Sequence, residues 1–366
     1  MEKTRHYYLD WLRVTGMGII FFFHNARFFD YEGWHIKNTE LTFGATVFIG
    51  ITSQFIMPLF FLLSAYAIYY ALQHRSKKDF ARERVIRILI PLIFGIFTII
   101  PPQVYIERVT HGEFTGSFFQ FIPEYFNGWY AFGGNFAWMG LHLWYLLILF
   151  IFSILALPLF GRIGKSRLTG LLSAKYAVYL LFIPIALMEL LVNTSPDGIG
   201  IRGFGGWSPL TYFIIFITGY ILAADDRFRH EIIRIRFISL LLALSATSLG
   251  YYFAVQLNIP DRAPAFAILR GFNTWCWLLT FVGMGAKYLD FNNRFLEYSN
   301  EAVLPFYILH QSVIVITCFF LLNLIVTPIV KYLIISIISF AVIMLLYEFA
   351  VKRFSFLRKM FGMKPA

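Results

Sequence analysis

Charge and cysteine are what this sequence has little of. Of its 366 residues only 14% are Asp, Glu, Lys or Arg, against 59% hydrophobic and 20% aromatic. A soluble domain carries roughly a quarter charged residues, so composition excludes that class and implies an integral membrane protein. The two cysteines, Cys276 and Cys318, both fall in apolar runs, with neither a disulfide framework nor metal-ligand spacing. A P-loop, a dinucleotide fingerprint and an H-E-x-x-H pair are missing as well, so no resident cofactor and no metal are expected. The short alternating segments of a β-barrel are also lacking, which leaves helices as the spanning elements.

Long apolar runs are abundant. Those able to cross about 30 Å of hydrocarbon lie near 8–29, 43–72, 86–101, 141–160, 175–192, 209–223, 237–256, 265–288, 302–322 and 328–351. The expected fold is all-α: a polytopic integral membrane bundle of about ten transmembrane helices forming a single domain over 1–366. Met57-Pro58 inside the second run predicts a kink there. The first run is too long for a signal peptide, keeps an internal histidine and lacks a small-residue cleavage site, so it reads as the first span.

Placing both termini in the cytoplasm gathers 74–87, 161–174, 224–236, 289–301 and the C-terminal tail on one side. With the N-terminus and the immediate helix ends, these hold about 24 of the 31 Lys and Arg, the asymmetry expected of inward-facing loops. The net charge of +11 is then mostly topology, and no motif supports a nucleic-acid partner. On the outer side, 102–140 and 193–208 are Gly-rich, and the first is also rich in aromatics. It predicts an interfacial helix around Phe118 to Phe126. Its aromatics suit a sugar-binding surface and interfacial anchoring equally.

Ionisable side chains within the apolar runs are the candidates for chemistry, because an Arg at mid-helix costs at least ~2.5 kcal/mol on insertion scales. The stretch LDWLRVTGMGIIFFFHNARFF carries Asp10, Arg13, His24 and Arg27. Arg13 and His24 are eleven residues apart, about 20° past three helical turns and roughly 16 Å along the axis. They share a face at two depths, where a cation could grip one end of a threaded molecule and an imidazole act as general base on the other. The alternative is that Arg13 snorkels to headgroups and His24 donates to a backbone carbonyl. Asp10 lies on the same side and can pair with Arg13.

Arg84 and Arg87, in FARERVIRILIP, stand one turn apart where the chain enters the bilayer. They suit either a phosphate clamp or positive-inside flanking; Arg82 sits further out. His142 opens the fourth run at the same end as His24, beside Trp144 and Tyr145, which also fit an interfacial belt. His310 and Gln311 form a polar pair deep in the ninth run and need partners. Ser64 has no nucleophile elbow around it and reads as a back-bonded serine that lets helices approach.

Taken together these residues resemble the integral membrane acyltransferase family 3, and within it a branch of glucan succinyltransferases. The marks are LDWLR at 9–13, the Arg13-x10-His24 spacing, MPLFFLLSAY at 57–66, F-x-x-x-R-x-x-R-I-x-x-P at 80–91, HLWYL at 142–146 and LPFYILHQ at 304–311. The resemblance covers nearly the whole chain. It implies an enzyme of the bacterial inner membrane that moves an acetyl or succinyl group from cytoplasmic acyl-CoA, its co-substrate, to a hydroxyl of a glycan or glycolipid at the outer face. His24 would then be catalytic as base or acyl relay, with Arg13 and Asp10 beside it and Arg84, Arg87 and Arg13 on the CoA phosphates. His142, Trp144, His310 and Arg27 would line the substrate, Arg27 as a cation for a succinyl carboxylate. Ala65 stands where many members have glycine, which predicts a looser backbone approach at that point.

A transporter for an organic anion or polysaccharide, or a non-catalytic partner in polysaccharide export, would also place charges among many spans. Transporters built from repeats show paired broken helices, and only one break is predicted here.

Overall fold

In hydrocarbon every backbone N–H and C=O must find its partner within its own segment, so the apolar runs become helices. The computed structural model describes residues 5–160, 167–198, 200–260 and 262–364; among these there is no strand, and β-type pairing is limited to two isolated bridges, Trp129 with Phe136 and Phe204 with Trp207. The chain is a multi-pass membrane protein. Helical stretches long and apolar enough to cross a bilayer are Phe43–Leu72, Lys77–Thr110, Asp226–Val255, Pro264–Tyr288, Arg294–Phe320 and Pro328–Val351. Leu141–Leu155, Ala177–Asn193 and Pro209–Ala223 are apolar but shorter. The first helix, Tyr7–Ala26, carries Asp10, Arg13 and His24 within its 20 residues.

Several boundaries differ from the sequence expectation. The second run breaks at Gln54–Phe55, between helices Phe43–Ser53 and Ile56–Leu72, and not at Met57-Pro58. Pro58 falls in the first turn of its helix, where the missing N–H leaves no bond unmade. Residues 102–110, expected in an outer loop, continue as the helix Pro101–Thr110, with prolines at its start. On the expected inner side, Lys77–Arg84 is helical and runs through a π turn, Val85–Leu89, into Ile90–Thr98. The basic 226–236 stretch is the opening of Asp226–Val255, capped by Asp225, whose carboxylate accepts from Arg227 N. The expected short helix is present at Phe118–Glu124, closed by a Ser117–Gln120 capping box. Residues 161–166 of the expected inner loop and residue 199 of the expected outer loop lie outside the described residues.

The chain divides into two compact units that alternate along the sequence. The first comprises Met1–Gly16, Ile51–Phe80 and Ile151–Glu297; the second comprises Met17–Gly50, Ala81–Phe150 and Tyr298–Ala366. In the first unit Asp226–Val255 pairs with Pro264–Tyr288, and Pro209–Ala223 packs on Ile56–Leu72. The second pairing is close because Gly219 has no side chain. A Cβ there would stand 2.5 Å from Leu62 O and 3.1 Å from the Ala65 Cβ, so the backbone approach expected to be loosened by Ala65 is kept, with the glycine on the facing helix. Small residues at such crossings are the usual means of bringing membrane helices together.

In the second unit the segment between the first helix and Phe43 is tied down at many points. Asn38 N donates to Phe28 O (2.9 Å) and Thr42 N to Phe29 O (2.8 Å). The buried Lys331 donates to Asn38 Oδ1 (2.8 Å) and Leu322 O (3.0 Å). Thr110 Oγ1, whose shortest bond is to Ile106 O (2.8 Å), also lies 3.2 Å from His35 O, which brings His35 beside the Pro101–Thr110 helix.

Candidate active site

Asp10 and Arg13 belong to the first unit. Asp10 is 7% exposed and accepts from Arg5 (2.7 Å) and Arg13 (3.0 Å). Arg13 also donates to Leu63 O (3.3 Å), so Arg13 is a fixed cation rather than a side chain reaching outward. The Tyr7–Ala26 helix continues without interruption from Arg13 to His24, as the three-turn spacing requires.

In the second unit the structure gathers His24, His142 and His310. The His310 ring lies 5.0 Å from His24 and 5.1 Å from His142, centroid to centroid. Trp34 stacks on His24 at 6.4 Å between centroids. His310 is fully buried and His142 6% exposed. His142 Nε2 faces Ile308 O (3.1 Å) and its Nδ1 faces Gln103 Nε2 (3.3 Å), which makes Nε2 the protonated nitrogen and Nδ1 the acceptor. His310 Nδ1 donates to Tyr307 O (2.6 Å). The Tyr307 hydroxyl in turn donates to His142 O.

Sequence reasoning missed the other half of this cluster. Gln103 and Glu107, one turn apart on Pro101–Thr110, reach in from the segment expected to be an outer loop. Glu107 accepts from His35 Nδ1 and from the Tyr130 hydroxyl, 2.8 Å to each carboxylate oxygen. Burial first, and then the carboxylate itself, pushes the Tyr130 phenol above its ordinary value, so it stays a donor. Gln311 Nε2 lies 3.0 Å from His35 Nε2 and donates to Gln103 Oε1 (3.0 Å). Gln103 Nε2 donates to Ser312 Oγ (2.6 Å), whose hydroxyl donates to Ile99 O (2.7 Å). Buried polar groups normally find partners, and unpaired ones cost about 1–3 kcal/mol each. Three atoms of this cluster are buried without a hydrogen-bond partner: His24 Nδ1, His310 Nε2 and Gln311 Oε1. Two of them belong to adjacent imidazoles.

The remaining candidates are Arg27, Trp144, Arg87 and Arg84. Arg27 is engaged locally, donating to Asp30 (2.5 Å), Glu32 (2.6 Å) and Gly33 O (2.7 Å). Trp144 is half-buried and meets Tyr145 edge-on at 6.5 Å. Arg87 makes two long bonds, to Glu83 (3.3 Å) and Gly362 O (3.3 Å), and its side chain is 43% exposed. Arg84 immediately precedes the π turn that contains Arg87. Among the described residues no group of three or more His, Cys, Asp or Glu is arranged to hold a metal ion.

In the second unit the three imidazoles thus stand together at the end of the Tyr7–Ala26 helix, two of them with a buried nitrogen that has no partner. Comparison with known proteins defines the class: a family model described as an acyltransferase domain matches residues 6–348, and the chain belongs to that family as a membrane acyltransferase. It is similar to the glucans biosynthesis protein C of Salmonella schwarzengrund, 22% identical over 392 residues covering 100% of this chain and 96% of the relative. The protein of the same name from Salmonella typhi matches to the same extent. That from Shigella dysenteriae is 26% identical over 167 residues, 45% of this chain and 42% of the relative. No solved structure matches the chain.

Proposed function

We propose that this acyltransferase takes an acetyl or succinyl group from cytoplasmic acyl-CoA and passes it to a hydroxyl of a glycan or glycolipid at the outer face of the bacterial inner membrane. The single observation that carries the reading is His24: an imidazole with a buried, unpartnered nitrogen, set among His142, His310 and Trp34 and eleven residues beyond Arg13 on one helix. The similarity to glucans biosynthesis protein C points to a glycan acceptor. The single domain of about ten spans with both termini inside belongs to this reading, since it presents Arg84 and Arg87 to the cytoplasm.

In this mechanism Arg84 and Arg87 hold the CoA phosphates and the pantetheine arm runs along the first helix. The Arg13 to His24 rise of roughly 16 Å is of the order of that arm's length. His24 takes the proton of the acceptor hydroxyl as its oxygen bonds to the thioester carbonyl carbon. The C–S bond then breaks, and the thiolate sulfur receives the proton held by His24, so an ester and CoA leave with no net proton change. A relay through acyl-histidine uses the same atoms in two steps. The two routes differ in whether labelled protein accumulates when acceptor is withheld.

The test is CoA release from labelled acetyl- or succinyl-CoA by purified protein in the presence of glycan, compared with His24→Ala. Transfer by the wild type and its loss by about 100-fold or more in the variant are expected for a general base. Equal rates in the two proteins, or acyl-CoA binding no better than to an unrelated membrane protein, would remove the proposal.

A further inference from the structure

The aromatic side chains that follow Thr110 divide into two sets. Phe126 stacks on Phe97 at 6.2 Å, and Phe97 is an exposed ring of the spanning stretch Lys77–Thr110, so this set belongs to the lipid side. Trp129 and Trp138 are 55% and 36% exposed. The ring contact each makes among the described residues is with the other, edge-on at 5.4 Å. We propose that Trp129 and Trp138 form the docking surface for a glycan acceptor, their indole faces stacking on its sugar rings. The inference rests on the acyl-transfer reading and names where the acceptor of that reaction is held.

The turn that carries the pair is built to hold its shape. Asn135 N donates to Asn127 O (2.8 Å), Phe136 N to Gly128 O (2.9 Å) and Tyr130 N to Phe136 O (3.0 Å). Gly134 packs on Gly128 so closely that a Cβ there would stand 2.2 Å from the Gly128 carbonyl carbon. Arg108 fastens the turn to the Pro101–Thr110 helix, donating from Nε to Asn135 Oδ1 (2.8 Å) and from Nη2 to Gly134 O (2.9 Å). Side chains fixed before binding lose less freedom when they bind, so large rings held in the open on a closed turn are suited to capturing a ligand. A pyranose presents C–H bonds on its faces and hydroxyls round its edge. The faces suit the electron-rich indole plane. The exposed Asn127 and Glu124, at the start of the turn, supply hydrogen-bonding groups for the edge.

The surface is continuous with the imidazole cluster. Tyr130, next to Trp129, donates its hydroxyl to Glu107, 2.8 Å from each carboxylate oxygen. Glu107 accepts from His35. The His35 ring lies 5.6 Å from Trp34, which stacks on His24 at 6.4 Å. One phenol, one carboxylate and one imidazole thus link the indole pair to the rings at His24, and a sugar chain lying on the pair extends toward the candidate base. Phe126, stacked on a lipid-facing ring, has no such link.

The test uses full-length protein labelled with fluorotryptophan in lipid nanodiscs, the Trp129 and Trp138 fluorine signals being assigned by their loss in Trp129→Phe and Trp138→Phe. The probes are laminarihexaose and maltohexaose, neutral glucose oligomers of β and α linkage. At least one oligomer is expected to shift both signals saturably. No shift with either oligomer overturns the proposal, and signals that move instead with the charge of the nanodisc lipid assign the rings to membrane anchoring. In acyl transfer to the oligomer that binds, replacing both tryptophans by leucine is expected to raise the acceptor KM by about tenfold or more, with kcat and KM for acyl-CoA within about twofold. Phe119→Leu, at a ring 80% exposed on the neighbouring Phe118–Glu124 helix, is expected to leave all three unchanged. Equal acceptor KM in the wild type and the double variant overturns the proposal. If the double variant does not fold, the wild-type fluorine shifts decide. Oligomer binding without acyl transfer defeats the acyl-transfer reading and leaves the glycan surface standing, whereas transfer without a fluorine shift defeats the surface alone.

Discussion

Glu107 and His35, 72 positions apart in the chain, meet as a buried acid–imidazole pair. The pair joins the segment after the first helix to Pro101–Thr110 and, through Gln311, to Arg294–Phe320. Removing the carboxylate leaves the His35 ring N–H and the Tyr130 hydroxyl without an acceptor, at about 1–3 kcal/mol each. Glu107→Leu is therefore expected to lower stability by roughly 2–5 kcal/mol, and Glu107→Gln, which keeps a carbonyl acceptor, by less. Thermal unfolding in nanodiscs checks the order. A Glu107→Leu protein that melts with the wild type would show that the pair contributes nothing.

That relationship also shows how much was legible beforehand. The helical class and the membrane follow from the long apolar runs, and Arg13 and His24 stand out in them because ionisable interruptions are costly and therefore conspicuous. His142 and His310 stand out for the same reason. Gln103 and Glu107 were hidden because Pro101-Pro102 reads as the end of a span, whereas prolines at the first helical positions open a helix as readily as they close one. The four-residue spacing of Gln103 and Glu107, which places both on one helical face, was the available signal. His35 had none, since its neighbours in sequence are loop residues and its placement depends on Lys331 and Thr110, both remote in the chain.

Close helix packing in the first unit is expected to depend on Gly219. A Cβ at that position would meet backbone, Leu62 O at 2.5 Å and Leu62 Cα at 3.0 Å, and backbone cannot rotate away as a side-chain tip can. Gly219→Ala should destabilise by about 1–3 kcal/mol through forced separation of the two helices. Gly219→Leu should reduce the yield of folded protein further. Gly18, whose Cβ would meet nothing within 4 Å, is the control: an equal loss in Gly18→Ala would make the effect one of composition rather than contact.

Arg27 was the sequence candidate for reading a succinyl carboxylate, yet its guanidinium is engaged with Asp30, Glu32 and Gly33 O. Asp30 is fully buried and also receives Lys37. An arginine so engaged serves the loop, and its removal leaves Asp30 with Lys37 alone. Arg27→Ala is expected to lower the melting temperature while the ratio of succinyl to acetyl transfer stays within about twofold. A selective loss of succinyl transfer, with acetyl transfer intact, would return Arg27 to the substrate.

Arg84 and Arg87 differ from Arg13 in that Arg87 is held only by long contacts and is open to solvent. A guanidinium in that state is suited to exchanging its neighbours for a phosphate. Replacing both by alanine should raise KM for acyl-CoA by about tenfold or more, equivalent to roughly 1.4 kcal/mol or more, and leave kcat nearly unchanged, since the phosphates are remote from the thioester. Acyl-pantetheine, which lacks the phosphates, separates grip from fold. The wild type should prefer acyl-CoA to acyl-pantetheine, and the double variant should lose that preference by becoming poorer with acyl-CoA alone. A variant that weakens both donors equally would place the arginines in the architecture of the Lys77–Thr110 stretch, where the π turn between Val85 and Leu89 would be the feature they maintain.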